Sequence, residues 1–576
     1  MRARRIERRM PDAAAQLPAG LHPLLQRLYA ARGICDEKGL DQALAALADY
    51  RSLSGMTAAV DLLAGCLARQ EHILVIGDFD ADGATSSALL VRALRRMGAE
   101  HAGYLVPNRF EYGYGLTPEI VALAAERKPA LIITVDNGIS SHAGVSAARE
   151  RGIRVLVTDH HLPGATLPEA DAILNPNLPG DTFPSKSVAG VGIVFYLLMA
   201  LRAKLRDTGW FAAHGIPEPN LAEHLDLVAL GTVADVVPLD HNNRVLVSQG
   251  LKRIRADRAI PGIRALLQVG GKDPARLSAS DLGYAVAPRL NAAGRLTDMS
   301  LGIECLLADD PAQARELALK LDALNKERRE IEAKMQEEAF AALSRMGFKE
   351  DDPTLPFGLC LFEEEWHQGV VGLVASRVKD RLHRPVIAFA RAEGTSLKGS
   401  ARSVKGMHIR DALEAIHSRH PQLMGKFGGH AMAAGLSLDA RNFDAFRAAF
   451  DAEARRWLDA DDLAGVLHTD GELPAELLTL EGAEMLRDAG PWGQAFPEPL
   501  FDGVFGLKER RIVGNGHLKL VLEHPAGRRC EAIAFGQTGE HIPDACHEVR
   551  IAYRPDVNEY RGERRLQLLV EYIEAR

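Results

Sequence analysis

The sequence predicts a mixed α/β chain of several domains: a parallel-sheet domain, a long connecting helix, a smaller α/β domain and a closed β-barrel. Three observations carry that reading. Short apolar runs alternate with helical stretches between Ile73 and Asp159, an order that demands right-handed crossovers and a parallel sheet. Asp310 to Met346 keeps a helical repeat throughout, and the composition shifts to alternating strands from Leu463 onward.

Composition agrees with several cores. A chain of 576 residues exceeds what one ordinary core supports. The six cysteines show no CxxC pairing, which argues against a disulfide framework or a zinc site and for a reducing, cytoplasmic setting. No apolar stretch approaches a membrane span, and Met1-Arg2-Ala3-Arg4-Arg5 lacks a signal peptide's apolar core. This basic end is expected to be solvated and disordered, within a helical lead-in over 1–69. The net charge of −8 is awkward for a nucleic-acid partner, although a carboxylate-rich metal centre itself contributes negative charge.

The sheet domain is placed at 70–309. Its first strand, Ile73 to Ile76, leads into Gly77-Asp78-Phe79-Asp80-Ala81-Asp82-Gly83, and a helix follows to Met97. In an extended segment Asp78, Asp80 and Asp82 face one way, and three crowded carboxylates call for a divalent cation such as Mg²⁺ or Mn²⁺. An aspartate-rich turn capping the helix accounts for the same residues. Two further strands end in Asp136-Asn137-Gly138 and Asp159-His160-His161, and ligands sit beyond the carboxyl ends of parallel strands. Asp235 interrupts the apolar stretch Leu227 to Pro238, where it needs a partner, a metal or a hydrogen-bonding group.

Asp78-Phe79-Asp80-Ala81-Asp82-Gly83, Asp136, Asp159-His160-His161 and Asp235 resemble the four successive motifs of the DHH phosphoesterase superfamily. Over its whole length the chain is most similar to the RecJ family of single-stranded-DNA-specific 5′ to 3′ exonucleases. That resemblance implies a DHH catalytic domain, a DHH-associated domain and an OB-fold. It also implies a metal-dependent exodeoxyribonuclease with two ions. One ion falls to Asp78, Asp80 and Asp136, the other to Asp82, Asp136, His160 and Asp235. His161 then holds the scissile phosphate or moves a proton, and Asp159 orients a histidine.

The remaining segments are read beside it. Arg109, with Tyr112 or Tyr114, forms a loop suited to a nucleic-acid strand or to simple packing, and the resemblance favours contact. Lys186 to Phe195 opens an apolar helix whose small residues suit packing or an anion, and packing is favoured. Asn291 and Arg295 match a family motif that holds substrate phosphate.

The connecting helix is placed at 310–347, where a partner-binding coiled coil is not required. The DHH-associated domain, 348–458, is expected to bind substrate through His367, Ser376, Arg377, Ser400, Arg402, Gly428, Gly429 and His430. Of these, Ser376, Arg377 and Arg402 form a 5′-phosphate pocket. In the barrel, 463–576, Arg510, Arg511, Lys519, Arg528, Arg529 and Tyr560 suit a phosphate backbone or an ordinary solvated face.

The expected partners are single-stranded DNA, a single-stranded-DNA-binding protein and a helicase, with no membrane and a monomeric chain. Two other readings share features: a DHH phosphodiesterase of short oligonucleotides or small nucleotides, and a non-catalytic single-stranded-DNA-binding replication scaffold.

Overall fold

The computed structural model describes residues 4–107, 112, 115–345, 355–459, 461–514, 516–540, 542–560 and 562–576. Two compact units result, one of Pro11–Asn325 with Glu481–Pro499, the other of Met1–Met10, Lys326–Leu480 and Leu500–Arg576.

In the first unit a five-stranded, wholly parallel sheet runs in the order Ala102–Leu105, Ile73–Gly77, Leu131–Val135, Arg154–Thr158, Ala172–Leu174. The strands are short, β-branched and nearly all buried, as a sheet covered on both faces requires. Helices Pro118–Ala125 and His142–Glu150 pack on one face through Ile120, Val121, Ala124, Val145 and Ala148. Helices Ala81–Arg96 and Gly190–Asp207 lie on the other side. Strand order reverses between Ile73–Gly77 and Leu131–Val135, so a crevice opens beyond their carboxyl ends, where doubly wound sheets bind ligands.

The second unit holds two larger sheets of its own kind. One has the order Phe427–Gly429, Ala433–Asp439, Ser396–Arg402, Val386–Arg391, Leu359–Phe362, with a core of Phe389, Leu436, Phe446 and Phe450. The other is a closed five-stranded barrel: Phe501–Val513, His517–Glu523, Arg529–Ala534, Glu563–Ala575, Glu548–Tyr560. Alternation of Leu518, Leu520 and Leu522 into the barrel fills it.

Two expectations about the chain's course are corrected. Within the basic N-terminal stretch, Arg5–Arg8 is a strand paired in parallel with Val466–Thr469 in the second unit. Arg8 donates to the buried Asp502 at 3.1 and 3.0 Å, which a solvated tail would not do. Residues 481–499, placed by sequence within the barrel domain, pack in the first unit. There Trp492 and Phe496 stack with Tyr29, and Leu239 N–H donates to the Gln494 carbonyl. The long helix, Pro311–Arg345, is continuous, and the division into units falls within it. Among the described residues no helix is long and apolar enough to cross a membrane.

Candidate metal centre and phosphate-binding face

The first strand stops at Gly77, so Asp78, Asp80 and Asp82 do not alternate along one extended segment. Asp80 is instead the N-cap of Ala81–Arg96, its Oδ1 accepting from Asp82 and Gly83 N–H at 3.0 Å, and Asp82 lies in the first turn. The capping role and the clustering role therefore coexist. Gly83 makes this possible, since a Cβ there would lie 2.5 Å from the Asp78 carbonyl.

The acidic edge is drawn together from four elements. Asp78, Asp80 and Asp136 form one group with ligand atoms within 4.8 Å of each other; Asp82, His160 and Asp235 form a second; Asp136, His160 and His161 a third. Asp136, just past Leu131–Val135, is held at φ 61°, a strained backbone typical of functional positions. Asp235 ends the helix Leu225–Ala234, so the apolar stretch that carries it is helical. His160 Nε2 lies 3.0 Å from Asp136 Oδ1 and 3.3 Å from Asp235 Oδ2.

The donor set fits a hard divalent cation. Burial and mutual repulsion push the Asp136 carboxyl well above the usual carboxylate range. Burial, then Asp235, does the same to Asp82; burial, then Asp80, to Asp235. Burial also lowers His160, keeping its imidazole neutral as a ligand must be. His160 Nε2 and Asp235 Oδ2 are buried atoms without a hydrogen-bond partner, a costly state that a cation between them relieves.

Beside this cluster, Asp159 accepts the Nδ1 proton of His161 at 2.7 Å and the Ile139 N–H at 2.9 Å. Burial works against charging His161, but the Asp159 carboxylate overrides it and raises the imidazole to about 9. Of the two histidines, Asp159 therefore orients His161.

Asp82 is gripped by an element that sequence reasoning assigned to packing. Its two oxygens accept from Gly190 N–H at 2.7 Å and Val191 N–H at 2.9 Å, the N-terminus of Gly190–Asp207 acting as an anion cradle. A Cβ on Gly190 would meet Asp136 Cβ at 2.8 Å; one on Gly231 would meet Thr85 Oγ1 at 2.2 Å and Asp82 Oδ1 at 2.9 Å. Sequence reasoning missed Gly231, whose signal is a glycine inside an otherwise apolar helix.

The second unit presents a different surface. Ser400 and Arg402 lie two apart on one strand face, with Gly435 beside Ser400 and Gly428 beside Gly435. A Cβ on Gly372, at the start of Val371–Leu382, would meet an Arg402 guanidinium nitrogen and Ser400 Oγ, both at 2.9 Å. Burial lowers the Arg402 pKa, and among the described residues no carboxylate pairs with it. Gly428, Gly429 and His430 are exposed.

Three family models match this chain in order: the DHH family, N-terminal domain, over 72–232; the DHHA1 domain over 356–456; the RecJ OB domain over 469–572. The single-stranded-DNA-specific exonuclease RecJ of Dickeya dadantii is 60% identical over 568 residues, 98% of each chain. That of Escherichia coli K12 is 55% identical over 570 residues, 99% of this chain and 98% of its own. This chain belongs to the RecJ family.

Among solved RecJ structures, that of Thermus thermophilus in complex with Mn²⁺ aligns with a TM-score of 0.79 at 32% identity, covering 96% of this chain and 76% of that one. Its Mg²⁺ complex aligns at 0.72 and 30%, covering 96% and 75%. These neighbours carry the RecJ architecture of parallel-sheet domain, DHHA1 domain and closed OB barrel over to this chain.

Other expected RecJ site residues are placed less simply. Arg109 and Tyr114 lie outside the described residues, as does the side chain of Tyr560, while Tyr112 packs on the sheet core. The Asn291 side chain is engaged with the aspartate loop: its Oδ1 accepts the Ala81 N–H at 2.9 Å, from a helix that also carries Arg295. Gly294 abuts the Phe79 carbonyl, so this helix buttresses the aspartate loop.

In the second unit, His367 Nδ1 accepts from Gly369 N–H. Ser376 Oγ donates to its own helix at Gly372 O, and Arg377 Nε donates to Glu332 at 2.8 Å. On the barrel, Lys519 pairs with Glu531 and Arg529 with Glu523. Arg510 donates to Ile542 O and Asp544, Arg528 to Ala475 O and Leu478 O, and Arg511 is exposed.

Proposed function

We propose that the protein is a single-stranded-DNA-specific exonuclease that digests from the 5′ end and releases 5′-mononucleotides by phosphodiester hydrolysis with two divalent ions, Mn²⁺ or Mg²⁺. The observation that carries this reading is the sharing of Asp136 between the group with Asp78 and Asp80 and the group with His160 and His161. One ion belongs with Asp78, Asp80 and Asp136, the other with Asp82, Asp136, His160 and Asp235. When bound, such a pair neutralises charge on the attacking and leaving oxygens and acidifies the attacking water.

The chain's own groups do the rest. His161 holds a non-bridging oxygen of the scissile phosphate or donates a proton to the leaving oxygen. Asp159 keeps its ring in place. Arg295 adds a cation on the helix that buttresses the aspartate loop. Arg402 and Ser400 receive the 5′-phosphate, and the bare backbone at Gly428 and Gly429, with His430, lets the strand lie close. The protein works as a cytoplasmic monomer in DNA repair and recombination, beside a helicase and a single-stranded-DNA-binding protein that expose its substrate.

The test is digestion of single strands labelled at either end, with Mn²⁺, Mg²⁺ or chelator, and with Asp136→Ala as control. Mononucleotides released from the 5′ end, lost with chelator and with the substitution, are the expected result. Survival of long strands with cleavage of dinucleotides would favour a short-oligonucleotide phosphodiesterase. Binding without cleavage under any metal would favour a scaffold.

A further inference from the structure

Beyond the ligand atoms themselves, the segment that follows the His160–His161 pair reaches back to it. The short strand Ala172–Leu174 leads into Asn175-Pro176-Asn177. Asn175 is fully buried; its Nδ2 donates to the His161 carbonyl at 2.8 Å, and its Oδ1 accepts the Asn177 N–H at 2.8 Å. Asn177 then spends both amide protons on carbonyls, that of His160 at 2.6 Å and that of Lys186 at 3.2 Å.

Lys186 belongs to the short lead into Gly190 and Val191, whose N–H groups hold Asp82. That lead is braced. Lys186 Nζ donates to Pro176 O at 2.6 Å and Asp181 O at 2.8 Å, and Asn243 Nδ2 donates to Ser187 O at 2.8 Å. One half-buried side-chain amide thus joins the backbone of His160 to the segment that carries the cradle of Asp82.

We propose that Asn177 is a positioning residue that staples His160 to the Asp82 cradle, so that both ligands of one metal subsite keep their spacing. The inference rests on the two-ion reading above. A planar amide fixes the angle between its two N–H groups, so the two carbonyls it binds are fixed relative to one another. Groups that hold ligands without touching the metal set its affinity. The Asp78, Asp80 and Asp136 subsite shares only Asp136 with this arrangement and does not depend on the staple.

The test uses full-length protein stripped with chelator and titrated with Mn²⁺, free ion being followed by electron paramagnetic resonance, beside a thermal melt. Parallel titrations of Asp80→Asn and Asp235→Asn assign the two subsites. Asn177→Leu keeps the number and branching of side-chain heavy atoms and removes both donors; it is expected to weaken the Asp235-dependent site about 10- to 100-fold, leave the Asp80-dependent site within about twofold, and leave Tm unchanged. Asn177→Ser, which retains one donor, is expected to fall between.

Equal weakening of both sites, or of neither, overturns the proposal, as does a loss of affinity that only tracks a fall in Tm. A wild-type titration showing a single site removes the two-ion reading instead, and the role of Asn177 then fails if that one affinity does not drop.

Discussion

The candidate metal centre of the first unit and the glycine-lined face of the second, both proposed above to bind phosphate, are built by opposite means. At the centre, Asp82, Asp136 and His160 are buried or nearly so, crowded against their own repulsion, and held by backbone N–H groups, glycine contacts and one strained φ. On the face, Gly428, Gly429 and His430 are open to solvent, and the half-buried Arg402 has no carboxylate partner among the described residues. Concentrated charge needs a rigid enclosure, because unpaired burial is costly and position sets affinity. A surface for a backbone needs side chains left out and a cation left uncompensated.

That contrast can be broken most severely at Asp136. Asp136→Ala is expected to lower kcat on single-stranded DNA by on the order of 10³-fold or more, in the manner of residues that act as a unit. An enzyme that retained a tenth of its rate would show that the shared carboxylate is not central.

Next in size is the enclosure itself. Gly231→Ala forces a methyl group against Thr85 Oγ1, Val191 and Asp82. Overpacking of this kind typically costs about 1–3 kcal/mol, and a ligand displaced by a fraction of an ångström loses roughly 10²-fold in rate. Thermal melts and kcat, measured together, check both.

On the open face the effects are smaller and depend on the substrate's end. Arg402→Ala is expected to reduce kcat/KM on 5′-phosphorylated strands about 10- to 100-fold, the worth of a charge-assisted bond, and to spare 5′-hydroxyl strands. Arg377, already engaged by Glu332, is expected to matter only severalfold. If Arg377→Ala proved the more damaging on 5′-phosphorylated strands, the pocket would have to be recentred on it.

The last comparison concerns stability rather than rate and separates the half-buried His161 from the buried His224 of the same unit. Burial, reinforced by Arg96 and Arg92, lowers His224 to about 4; Glu223 opposes this too weakly to restore it, whereas Asp159 overrides burial at His161. A histidine whose folded pKa lies below its unfolded value takes up its proton on unfolding. Stability is therefore full above about pH 6.5 and lost as pH falls towards 4, by an amount on the order of 2–3 kcal/mol. His224→Phe should flatten the Tm–pH profile across that window, and an unchanged slope would show that His224 is not its source.

Much of the centre was legible in the order of residues. Carboxylates at the tips of apolar runs singled out Asp78, Asp136 and Asp159, which a β-α-β order puts on one edge, whereas Asp235 taken alone reads as a capping or hydrogen-bonded residue and joined them through the family resemblance. Local geometry was less legible: the alternation of Asp78, Asp80 and Asp82 gave way to a helix cap, because Asp80 bonds the first free N–H groups of Ala81–Arg96.

The order of residues was enough for the sheet, the long helix, the barrel and the gathering of acidic residues at one sheet edge, since burial periodicity and the cost of misplaced charge act over a few residues. Folding alone settled which groups hold Asp82 from 108 residues away, where Arg5–Arg8 finds its strand partner, and which unit claims 481–499. Each of these depends on a complementary surface that a distant segment presents, and a segment's own composition carries no record of its complement.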